Sequence, residues 1–207
     1  GDRVKIVFYR GGEKKTVTLE LGQHPRPESP AAPAELAAVV REAYKHINAD
    51  LSTLLDGVTE FQAGYQPAPE AWSAKELIAH FIACERDFQS WLADLLNDNV
   101  AGDSLEYRPN VNERLRVMVN RFKTLPALMN ELVLSQDETV GLLEALPARF
   151  VARKHLYRRA ALWATTVVAG HYREEHLAQM QAAIQAARDF EATLPRDGLW
   201  LTQTPQA

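Results

Sequence analysis

Two histidines, His80 and His176, fall on the apolar stripes of two separate helical stretches, each with hydrophobic residues one turn away. An imidazole on an apolar face must find partners for its ring nitrogens, because an unpaired buried polar atom costs free energy. A divalent metal shared by two or three such rings meets that need. A hydrogen bond to a neighbouring side chain or water meets it too, and for one isolated histidine that is the simpler solution. A third ring, His171, lies five residues before His176. At about 100° per residue, five positions set two side chains roughly 140° apart around a regular helix, so both cannot face one metal. A π-bulge, which absorbs one extra residue and recurs at functional sites, would bring them together, and Gly170 is placed to ease it. Without a bulge, His80 and His176 form a two-ligand site that holds metal weakly, with positions open to water.

The other reactive groups rank lower. Tyr172, four residues before His176, is a poor metal ligand when neutral, and its expected role is to orient substrate in a pocket beside the histidines. Cys84, one turn after His80, reads as a small buried hydrophobe rather than as a reactive thiol. Glu85 and Glu174 are expected to face solvent or pair with arginines, and Glu175 sits about 100° around from His176, off the ligand face. His46 belongs to the edge of its stripe, while His24 and His155 are expected in solvent. Arg153, Lys154, Arg158 and Arg159 form a basic run, read as a solvated face, with capture of an anionic cosubstrate as the alternative. There is no Gly-rich nucleotide loop and no G-x-S-x-G.

These residues need a scaffold, and the periodicity supplies one. Within the 207 residues, apolar positions recur at spacings of three and four over about 34–56, 74–96, 112–146 and 156–190, the pattern of long amphipathic helices. The fourth stripe runs through Leu162, Thr165, Ala169, Tyr172, His176, Met180, Ile184 and Ala187. Ser73 followed by Glu76 is a capping box that starts the second helix. Pro126 predicts a kink or a break in the third. Loops of more than ten residues join the first helix to the second and the second to the third. Four such helices argue for an all-α four-helix bundle over 34–190. Ahead of it, residues 3–9 and 14–21 alternate with period two around Arg10-Gly11-Gly12-Glu13, which is a β-hairpin with glycines for the positive φ angles of its turn. A lone hairpin is marginal in water and should pack on something. Residues 23–33 form a proline-rich linker, and 191–207 an irregular tail.

Composition bounds the function. The formal net charge of −4 offers no basic field for nucleic acid. No apolar run reaches the roughly 20 residues of a membrane helix. One cysteine permits no internal disulfide, and no signal peptide is visible. The expectation is a cytoplasmic protein. Gly1 in place of Met implies a start that was processed, tagged or cut from a longer chain.

Two resemblances add to this. The run Trp72-Ser73-Ala74-Lys75-Glu76-Leu77-Ile78-Ala79-His80, followed by Glu85, resembles the W-S-x-x-E-x-x-x-H signature of the DinB/YfiT-like family. His171-Tyr172-Arg173-Glu174-Glu175-His176-Leu177-Ala178-Gln179-Met180 resembles its fourth-helix signature, a histidine pair before x-x-Gln-Ile. The likeness implies a four-helix bundle whose three histidines, here His80, His171 and His176, hold nickel or zinc. It also implies a metal-dependent hydrolase or a thiol-dependent S-transferase acting on a small molecule, and often a homodimer. In the family the helix-four pair is four apart; here it is five. A bundle that has lost its metal and serves as an interaction module therefore stands beside the enzyme reading, and the spacing favours it unless a bulge is present. Separately, residues 1–25 resemble the last hairpin of a PDZ domain of the HtrA-protease type, without that domain's carboxylate-binding loop or groove helix.

Overall fold

The computed structural model describes residues 3–22, 29–99 and 110–194. Strands β1 (Arg3–Arg10) and β2 (Glu13–Glu20) pair antiparallel in the register Arg10↔Glu13, Ile6↔Val17, Val4↔Leu19. Gly11 and Gly12 turn the chain with φ of 60° and 82°, the left-handed pair that a two-residue hairpin loop requires. The expected hairpin is thus present, but every strand residue is exposed, Ile6, Phe8 and Val17 included.

Helix α1 (Pro33–Leu55) begins with proline at its first turn and buries Leu36, Val40, Tyr44, Ile47 and Leu51. The following connection is not all loop. Thr59 and Gln62 form a capping box on a short helix, α2 (Glu60–Gly64). Helix α3 (Ala74–Leu96) starts at Ser73, whose hydroxyl accepts from the Glu76 amide while the Glu76 carboxylate takes the Ser73 amide. Its first turns are buried on all sides, as befits the central element. The stretch expected as one helix over 112–146 breaks in two, α4 (Val111–Phe122) and α5 (Leu125–Glu144). Lys123 has φ 62°, Thr124 caps α5, and Pro126 sits in its first turn, where the missing N–H costs nothing. Lys75 secures the break: its ammonium donates to the Lys123 carbonyl at 2.8 Å and pairs with Glu60, which also accepts from the Leu125 amide.

After a single turn, α6 (Ala148–Val151), the fourth unit is one continuous rod of changing pitch. It runs through α7 (Lys154–Leu162), a π-helical segment π1 (Trp163–Val168), the short α8 (Ala169–His171), a second π segment π2 (Tyr172–His176) and α9 (Leu177–Thr193). Each π segment shifts the helical phase, so one regular wheel does not describe the rod. Leu162, expected inward, is 42% exposed, while Ala160 and Ala161 are buried in its place.

The four units close a square. Helix α1 packs on α5, α5 on α3, α3 on the rod through π1 and α9, and the rod back on α1 through π1 and α8. The core runs between them, from Leu36 and Leu51 through Phe81, Phe88 and Leu132 to Tyr172 and Ile184. No helix among the described residues is long and apolar enough to cross a membrane.

Candidate metal centre

The three histidines meet. His80 comes from the second turn of α3, His171 from the end of α8 and His176 from the end of π2. The Leu177 amide bonds to the Tyr172 carbonyl, the i→i+5 closure of a π turn. Five residues therefore carry the chain about once around, and His171 and His176 face the same way. The condition that the five-residue spacing imposed is met.

The Nε2 of His171 lies 3.2 Å from that of His80 and 2.9 Å from that of His176, and donor atoms of all three rings lie within 4.8 Å of one another. Two imidazole nitrogens at about 2.0–2.1 Å from one ion stand roughly 2.9 Å apart at a right angle and roughly 3.4 Å apart at the tetrahedral angle. The observed separations fall in that range.

The outer nitrogens fix the tautomers. Nδ1 of His171 is 3.1 Å from the Glu175 carboxylate, and Nδ1 of His176 is 2.8 Å from Oε1 of Gln179. Each outer nitrogen thus donates, which leaves both Nε2 lone pairs pointing at each other. Two acceptors at 2.9 Å repel unless a cation lies between them, and a carboxylate or carbonyl behind the ring is the usual support of a metal-bound histidine. Burial, then the neighbouring rings, depresses the pKa of His80 to about 3; burial also lowers that of His176. Both rings are neutral ligands at ordinary pH. The donor set fits a divalent metal.

The walls are aromatic and apolar. The Trp72 indole lies over His80 and His176 with ring centres 4.8 and 6.1 Å away, and its Nε1 donates to Asn112 on α4 at 2.9 Å. Cys84 is 3.6 Å from Nε2 of His80. Burial and the nearby carboxylates push its thiol up to about 12, and it does not join the three-ring set.

Other expected residues lie elsewhere. The Tyr172 side chain is fully buried behind the histidines, its hydroxyl turned to Glu85 at 2.6 Å and to the Phe81 carbonyl at 3.1 Å. Glu85 corrects the sequence reading: it is fully buried, not in solvent or paired with an arginine. One oxygen takes Tyr172; the other accepts from Tyr44 on α1 at 2.9 Å and from Thr139 on α5 at 2.6 Å. Burial pushes its pKa up to about 7 against the pull of these three hydroxyls. The position was legible, since Glu85 follows Phe81 by four and precedes Phe88 by three, on the buried stripe. Glu175, expected off the ligand face, is not among the three ligand rings and pairs with Nδ1 of His171. His46 is exposed beside Glu42, and His155 is exposed. Arg153 pairs with Asp98, and Arg159 stacks its guanidinium 5.6 Å from the Trp91 ring centre. The side chain of Glu174, and His24, lie outside the described residues.

A helical bundle with three inward histidines, one from the second long helix and two from the last, defines a class of protein with a metal-competent site between helices. Residues 43–180 match the profile of the DinB superfamily, and the chain belongs to that superfamily. Neither the curated proteins nor the solved structures gave a match.

Proposed function

We propose that His80, His171 and His176 hold a divalent metal, nickel or zinc, and that the protein is a metal-dependent hydrolase or thiol-dependent S-transferase acting on a small molecule. The observation that carries the proposal is the convergence of three Nε2 atoms, two of them with their outer nitrogens held by Glu175 and Gln179. When bound there, such a metal supplies Lewis acidity, lowering the pKa of a water or thiol that it ligates. The chain's own residues prepare the place. Glu175 and Gln179 keep a proton on each Nδ1, so that Nε2 stays free. Trp72, anchored by Asn112, shields the rings of His80 and His176 on one side. His171 keeps 24% of its side chain exposed, and a substrate would approach on that side. The alternative of a bundle that has lost its metal rested on the five-residue spacing, which π2 absorbs.

Elemental mass spectrometry on tag-free protein tests the proposal, beside His80→Ala and His176→Ala. Near-stoichiometric nickel or zinc that is absent from both variants supports it, and would direct screening to hydrolytic and thiol-transfer substrates. No uptake of either metal, even after reconstitution, refutes it.

A further inference from the structure

A π turn is seldom seen except as a single bulge within an α-helix, so something outside the rod must select it here. Tyr172 is the first residue of π2, and its ring lies 4.3 Å, centre to centre, from that of Phe81 with no exposed surface. Its hydroxyl bonds to Glu85 and to the Phe81 carbonyl. Tyr172 directly follows His171, and Phe81 directly follows His80. One hydroxyl therefore ties the two ligand-bearing helices together, one residue beyond a site histidine on each. Glu85 cannot yield, because its second oxygen is held by Tyr44 and Thr139 from the two remaining units of the square. Downstream, Met180 and Ile184 seat α9 in the core by ordinary helical spacing. The rod is thus pinned on both sides of the bulge. If the pin at Tyr172 is removed, the segment can relax to a regular α-helix, and His171 swings about 100° away from His176 per residue of slippage.

We infer that Glu85 and Tyr172 are positioning residues, a buried lock that holds π2 and so keeps His171 and His176 on one site. The inference rests on the metal reading above for its first readout only. That readout is zinc affinity, by competition with a chromophoric chelator on tag-free apoprotein. Tyr172→Phe and Glu85→Ala should weaken zinc binding about 10- to 100-fold, the usual effect of losing a supporting partner. Glu85→Gln should stay within roughly threefold of the parent, because its amide can donate to Tyr172 as a neutral acid would. Leu128→Ala, a fully buried change on α5 about three turns from Thr139, should lower Tm without weakening zinc. Affinity that instead follows Tm across all four variants, or that is unchanged in Tyr172→Phe, overturns the lock. If the parent protein takes up no zinc, the metal reading falls, and amide hydrogen exchange of residues 171–177 in the apoprotein decides the lock alone. Exchange accelerated there by Tyr172→Phe, and not across the bundle, upholds it; unchanged or uniformly faster exchange overturns it. Should Tyr172→Phe or Glu85→Ala fail to fold, Thr139→Val removes one donor from Glu85 and is judged by the same two readouts.

Discussion

Glu85 allows a prediction in which two opposing effects are weighed directly. A buried carboxyl resists ionisation, whereas three hydroxyl donors favour its anion. Burial wins, and the pKa rises from the usual 4.5 to about 7. The hydrogen-bond inventory agrees. With Glu85 neutral, its proton goes to the Tyr172 oxygen, Tyr172 donates to the Phe81 carbonyl, and Tyr44 and Thr139 donate to the other oxygen. Every hydrogen is used. The native state therefore binds more protons than the unfolded chain between pH 4.5 and about 7, so the contribution is complete below the lower value and lost as pH rises through the upper one. At about 1.4 kcal/mol per unit, a shift from 4.5 to about 7 corresponds to roughly 3 kcal/mol. Histidine titration overlaps this window, but a variant cancels it. Glu85→Gln mimics the neutral acid at every pH, and the difference between the two proteins isolates the carboxyl. Urea unfolding at intervals from pH 4 to pH 8 should show parent minus variant falling by about 3 kcal/mol. A flat difference would mean that the pKa is not raised. A difference that grows with pH would mean that the three hydroxyls outweigh burial, and the reasoning would fail.

Three further outcomes follow from other parts of the molecule. Deleting Arg173 leaves the histidine pair four apart, roughly 40° on a regular helix; zinc affinity should survive within a few-fold, whereas an alanine inserted after Arg173 should abolish it, as read by the same chelator competition. Ser73→Ala removes the cap of α3 and should cost about 1 kcal/mol, seen as a fall in Tm of roughly 2–4 °C for a chain of this size. Removing residues 1–22 should leave the Tm of the bundle within about a degree, since every strand residue is exposed; a fall of several degrees by calorimetry would show a stabilising contact.

Much of this was legible because burial follows period. The stripe from Leu77 to Leu95, the Ser73 cap, the Gly11-Gly12 turn and the break before Pro126 are local features, and local physics decides them. The helix α2 was announced by Thr59 and Gln62, a capping box inside what reads as a loop. Glu85 was placed wrongly because charge was weighed above position, and the support that Glu175 gives to His171 was not foreseen. Glu85 is buried by its place among Phe81 and Phe88, and its partners come from three other elements of the bundle. The pitch of the rod was legible only as an alternative, the bulge that the spacing of His171 and His176 would need. Whether 171 and 176 face one way depends on a hydrogen-bond closure that no residue type encodes, and the inward reading of Leu162 failed for the same reason.

The π turn also bears on how such a site can change over generations. A one-codon insertion in a helix ordinarily rotates everything downstream and scrambles the core. Here the five-residue spacing is taken up within Tyr172–His176, and Met180, Ile184 and Ala187 beyond it are buried. Loss of that one codon is then a mild step for this segment, because four residues of regular helix leave the pair roughly 40° apart, whereas one further gain separates it. A search that demands one fixed spacing would discard members whose histidines still meet in space.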